Sequence, residues 1–209
     1  MDNAVALVQA YLQVNGYFTV TEYPVLEAAR QGIETATDMD VLAFRFPNAG
    51  RLVPAKAGAR EHWLTEVDPL LGAPTGQVDM LIGEVKEGRA ELNRAAGNPE
   101  VLRAALVRFG CCDESHSAEV VGRLLQTGTA QMPSGHHVQL VAFGSTVVAG
   151  NGSRYRSIAL GHVLAFLEDY LREHWAILRH AQFKHPAFSL LVTLEKARRG
   201  NTAEVRHGA

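Results

Sequence analysis

The chain has 209 residues, 47% of them apolar, 20% charged and 7% aromatic, with 20 Lys and Arg against 22 Asp and Glu. That length buries a substantial core, and a formal charge of −2 excludes a protein that coats nucleic acid by bulk charge. A mean hydropathy of −0.03 and the lack of an apolar run of about eighteen residues exclude an integral helical membrane protein. The charge is unevenly spread: residues 1–100 carry 8 basic and 14 acidic side chains, residues 101–209 carry 12 and 8.

Residues 3–14 place Val5, Val8, Tyr11 and Leu12 on one stripe of an amphipathic helix, stopped by Asn15-Gly16. Two strands follow, over 17–28 and 40–46, both rich in β-branched and aromatic residues, with a polar break over 31–38. Residues 47–76 contain Pro47, Pro54, Pro69, Pro74 and Gly50, Gly58, Gly72, Gly76, which reads as a long surface segment with a helical turn near 61–67. A third, apolar strand spans 78–86.

Beyond it the pattern predicts a helix over 89–96, then a second one capped by Asn98, opened by Pro99 and closed by Gly110, then a third over 117–126. A strand lies within 136–149, followed by a turn at 150–152, a long helix over 158–180 and a last helix opened by Pro186; residues 201–209 read as frayed. Strands early and helices late predict an α/β fold with a mixed sheet flanked by helices, in a single domain over 1–209, of which 151–200 is a helical extension on a core of 1–150. Cys111 and Cys112 are adjacent and have no other cysteine to pair with, so a reducing, cytoplasmic setting is expected.

The chemistry concentrates on the third strand, which ends Gly83-Glu84-Val85-Lys86. Alternation puts Glu84 and Lys86 on one face and Val85 on the other. The second strand opens Thr37-Asp38-Met39-Asp40-Val41-Leu42. If the two strands pair, three acids and a lysine converge, and clustered carboxylates are costly unless a cation sits among them. Oxygen ligands of this kind suit Mg²⁺ or Mn²⁺, and an ion beside an ammonium suits phosphodiester hydrolysis.

This order, an opening helix, a strand, Asp40-Val41-Leu42-Ala43 on a second strand and Gly83-Glu84-Val85-Lys86 on a third, resembles the PD-(D/E)XK nuclease superfamily with its restriction-endonuclease-like fold. The resemblance covers roughly residues 3–96. It implies a three-layer αβα core with a mixed central sheet, extended here by extra C-terminal helices. It also implies a divalent metal bound by Asp40, Glu84 and the Val85 carbonyl, with Lys86 acting on the water nucleophile and Asp38 as a further candidate ligand. The partner implied is nucleic acid, DNA first, and two copies of the chain would suit cutting two strands. Many members carry a glutamate on the opening helix, whereas residues 3–14 hold no acid and Gln9 is the nearest polar stand-in. An inactive nucleic-acid-binding, scaffold or regulatory protein on the same fold is therefore the alternative.

Two lesser signals complete the reading. Arg154, Tyr155 and Arg156 follow a Gly-Asn-Gly turn, where a mobile Arg/Tyr group suits phosphate and base contacts. Trp63 and Trp175 read as packing residues, and the basic end of the last helix, Lys196, Arg198 and Arg199, as a solvated terminus.

Overall fold

The computed structural model describes residues 2–110, 112–148 and 154–204, with the side chains of 201–204 left aside. The turn expected at 150–152, Ser153, Cys111 and residues 205–209 lie outside this range. Asp2 caps the first helix, α1 (Asn3–Val14), by accepting the Ala4 N–H at 2.7 Å. Strands β1 (Phe18–Ala29) and β2 (Gly32–Arg45) form a long hairpin. The expected polar break is strand instead: only Arg30-Gln31 turns, and the β-branched Ile33, Thr35 and Thr37 pair with β1.

Within the surface segment, β3 (Arg51–Val53) and β4 (His62–Leu64) make a separate two-stranded ribbon where a helical turn was expected. The helical geometry comes later, as a 3₁₀ turn at Pro69–Leu71 capped by Asp68. The third strand of the core, β5 (Asp79–Arg89), pairs antiparallel with β2. It runs on to Arg89, and the helix predicted over 89–96 does not form. There the Asn93 side chain accepts the Ala96 N–H and the Asn93 carbonyl accepts the Gly97 N–H, a local turn that competes with the helix.

Helices α2 (Pro99–Phe109) and α3 (Glu114–Thr127) carry the chain across to β7 (His137–Thr146), which pairs parallel with β5. Two short strands that the pattern did not announce, β6 (Thr129–Gln131) and β8 (Arg156–Ala159), pair with successive parts of β7. β8 takes the start of the predicted long helix because Ile158 is buried beside Phe143. The rest of that helix divides into α4 (Leu160–Glu173) and α5 (Trp175–Leu178) at His174, and α6 (Pro186–Glu204) closes the chain.

The sheet order is β1-β2-β5-β7-β6, with β8 also on β7, and each face is covered. Val41, Ala43, Leu81, Val141 and Phe143 pack against α1, α4 and α6. Met39, Leu42, Met80, Ile82, Val138 and Leu140 pack against α2 and α3. The architecture is thus α/β, with a mixed central sheet between helical layers. Among the described residues no helix is long and apolar enough to cross a membrane.

The exit of β5 crosses directly over β7, which sets a steric limit. A Cβ on Gly144 would lie 2.7 Å from Ala90 Cα and 2.8 Å from the Arg89 carbonyl carbon, both backbone atoms. Gly144→Ala is expected to cost about 3 kcal/mol, or roughly 6–12 °C in Tm by calorimetry; an unchanged Tm would refute this crossing.

Candidate active site

The β2–β5 ladder ends at Val41↔Gly83. Beyond that pair β2 continues only against β1 and β5 only against β7, so the strands part at Asp40 and Glu84. The Asp40 side chain closes the fork by accepting the Val85 N–H at 2.7 Å, a donor that the departing β2 backbone leaves unpaired. In an extended strand the N–H and C=O of one residue project to the same edge, so the Val85 carbonyl faces the fork as well.

The strands are irregular at this point. Met39 and Leu42 both pack on the α2–α3 side while Val41 packs on the α1 side, so strict alternation slips by one residue at Asp40. Opposite it, Glu22 has φ 53°, the sole positive φ of a non-glycine residue among the described residues. A left-handed residue costs about 1–2 kcal/mol, and the strain here lies next to the acidic pair.

Glu84 is only 6% exposed. Burial, reinforced by the neighbouring Asp40 charge, pushes its carboxyl up to about 7, against the opposing influence of Lys86 and of the Asn93 amide. The Asn93 Nδ2–H donates to Glu84 Oε1 at 2.5 Å. Asp40 is also shifted upward, first by burial and then by the charges of Asp2 and Glu22, while the Val85 N–H and Lys86 work the other way. Lys86, half-buried two residues beyond Glu84, favours the ionised form of both acids.

The structure therefore brings Asp40, Glu84, Val85 and Lys86 together. Asp38 is exposed and lines a small recess with Thr37, Met39, Glu84, Asn93 and Ala96, next to Glu84 but apart from the Asp40–Val85 bridge.

Gln9 does not join the acids. Its amide nitrogen donates to Thr19 Oγ1 at 3.2 Å, and its oxygen lies 2.9 Å from His185 Nε2, so both ends are engaged between β1 and the start of α6. Tyr155 and Arg156 do not share a patch, because the bend before β8 and the start of that strand send them to opposite sides. Tyr155 turns into the α2–α3 layer, its hydroxyl 3.4 Å from the Leu92 nitrogen, while the Arg156 guanidinium covers Gly72 on the other side.

Three residues that the sequence pattern does not single out contribute: Asp2, one position before α1; Glu22; and Asn93. Only Asp2 carried a local signal, its fitness as an N-cap.

A second polar cluster lies at the opposite end of β5. Asp79, 1% exposed, accepts the Tyr17 hydroxyl at 2.5 Å and the Gln139 amide at 2.9 Å, and lies 2.6 Å from His137 Nδ1. Nearby Asp68 accepts the Tyr11 hydroxyl at 2.7 Å and pairs with His162. Burial opposes the Asp68 charge, but these bonds hold its carboxyl below the usual range.

No family model, no curated protein and no solved structure matches the chain. Among the described residues no group of three or more His, Cys, Asp and Glu side chains is placed to hold a metal ion. Two carboxylates and a backbone carbonyl still fit Mg²⁺, which keeps several waters and needs only one or two protein carboxylates. Burial first, and then neighbouring acids, disfavours the charge on both carboxylates, and a divalent cation held there would favour it.

Proposed function

We propose that the chain is a divalent-metal-dependent nuclease of the PD-(D/E)XK type, hydrolysing phosphodiester bonds of nucleic acid, DNA first. One observation carries this reading: Asp40 and Glu84 meet where β2 and β5 part, with Lys86 beside them. The chain order on which the resemblance rests supports it: α1, then β1, then β2 with Asp40, then β5 with Glu84 and Lys86, in one mixed sheet.

Asp40 and Glu84, with the Val85 carbonyl, would hold Mg²⁺ or Mn²⁺, and the ion would supply Lewis-acid polarisation and easier ionisation of water. The chain's own residues do the rest. The Val85 N–H fixes one Asp40 oxygen and leaves the other for ligation, and Asn93 orients Glu84. Lys86 holds the attacking water by hydrogen bonding and offsets the negative charge that builds on the phosphoryl oxygens.

A second reading, a nucleic-acid-binding or scaffold protein that does not cut, is favoured by Gln9, which turns away from the acids. Plasmid and oligonucleotide cleavage with Mg²⁺ or Mn²⁺ is the test. Wild-type activity is expected, falling by about 10²–10³-fold in Asp40→Ala, Glu84→Ala and Lys86→Ala. Equal cleavage in all three would sink the nuclease; nucleic-acid binding without any cleavage would favour the scaffold.

A further inference from the structure

Leu52 and Trp63 are cross-strand partners on the β3–β4 ribbon, and both face solvent, at 43% and 58% exposure. Trp63 is thus not the packing residue that the sequence suggested, unlike Trp175, which lies 4.6 Å from the Arg199 guanidinium and packs on the core. The other face of the ribbon anchors it. Leu64 is buried in the α1 layer, and the Arg51 guanidinium lies 5.3 Å from the centre of the Phe183 ring. That stack sets the ribbon against the segment between α5 and α6. The turn between the strands carries Lys56 and Arg60, and the segment over 179–185 carries Arg179 and Lys184, all exposed, while the acids nearby are Glu61 and Glu66. Glu61 itself accepts the Trp63 indole N–H at 2.7 Å.

We infer that this surface docks a strand of nucleic acid, its cations meeting phosphates and Trp63 with Leu52 offering an apolar step on which a base stacks. The class of partner rests on the nuclease reading; the place is argued from charge and exposure. The surface also leads toward the acidic fork. His185, at its edge, holds Gln9 of α1, and α1 begins at Asp2, whose charge acts on Asp40. Gln9 and Asp2 are seven residues apart, about 10 Å along α1.

The test uses the intact Glu84→Gln chain in EDTA, so that binding is read without cleavage, with labelled oligo-dT of about 20 nucleotides and a duplex of equal length as probes. Adding Lys56→Ser, Arg60→Ser and Lys184→Ser should weaken binding at least about tenfold and flatten the salt dependence by about 2 in log–log slope. Trp63→Ala should weaken oligo-dT binding by about fivefold or more. Arg103→Ser with Arg123→Ser, on the α2–α3 layer, should change affinity by less than about twofold. Absence of binding by the parent, an unchanged slope in the triple variant, or equal weakening in the α2–α3 variant would overturn the inference. Lys56, Arg60, Trp63, Arg123 and Lys184 are exposed and Arg103 half-buried, so melts coincident with that of the Glu84→Gln parent confirm folding. A chain that binds through the ribbon yet never cuts with metal would overturn the nuclease reading alone.

Discussion

Glu84→Gln is expected to abolish metal-dependent cleavage and, in the same protein without metal, to raise Tm at pH 8. Glu84 ionises near 7 in the folded chain against 4.5 for an unperturbed glutamate, so between those values the native state holds a proton that the unfolded state has lost. Stability therefore falls as pH rises from about 4.5 to about 7, by up to about 3 kcal/mol, and stays lowered above that. Gln keeps an oxygen for the Asn93 amide, carries no charge, and offers N–H donors toward Asp40. The variant should gain about 1–3 kcal/mol at pH 8, roughly 2–12 °C, and little at pH 4.5. Mn²⁺ should stabilise the wild type at pH 8 but not at pH 5, where Glu84 is protonated, and should not stabilise the variant. Differential scanning fluorimetry at the two pH values, beside a plasmid-nicking assay, checks every part. A lower Tm for the metal-free variant, or retained cleavage, would contradict the account of the fork.

The largest loss of stability is expected at the far end of the same strand. Asp79→Ala removes the acceptor of the Tyr17 hydroxyl and the Gln139 amide and the partner of His137, all within the interior. Unfulfilled buried donors cost about 1–3 kcal/mol each, and partial relaxation brings the total to about 3–5 kcal/mol, roughly 6–20 °C in Tm. Tyr17→Phe, which removes one donor and leaves the others paired, should cost about 1–2 kcal/mol. In the double variant the Tyr17 change should cost almost nothing further, because its acceptor is already gone. Chemical denaturation of the four proteins measures this coupling. Additive losses would show that Tyr17 and Asp79 act independently.

Legibility in the sequence followed the range of the interactions. The α2 helix was legible because Asn98, Pro99 and Gly110 act through the nearest backbone groups. The centres of β2, β5 and β7 were legible because their apolar runs reflect burial on both faces. The missed β6 and β8 each hold only three or four residues and owe their geometry to pairing with β7. Residues 90–98 kept the composition of a helix, yet Asn93 and the continuing strand formed other bonds. Gln9 and the 154–156 group failed as site residues for a related reason: polarity shows that a side chain seeks partners, not which ones lie within reach.

By itself the sequence determined that Glu84 and Lys86 share a strand face, that Asp40 heads an apolar run, and that Asn98, Pro99 and Gly110 bound α2. These follow from alternation and from bonds spanning a few residues. Only the tertiary structure decided that the β2–β5 ladder stops at Val41↔Gly83, so that Asp40 reaches Val85 and adds its charge to the burial of Glu84. It also decided that Trp63 faces solvent while Arg51, on the other face of the ribbon, stacks on Phe183 more than a hundred residues away in the chain. Register and ribbon placement depend on closing long loops and packing two helical layers on one sheet, and no local pattern encodes those energies.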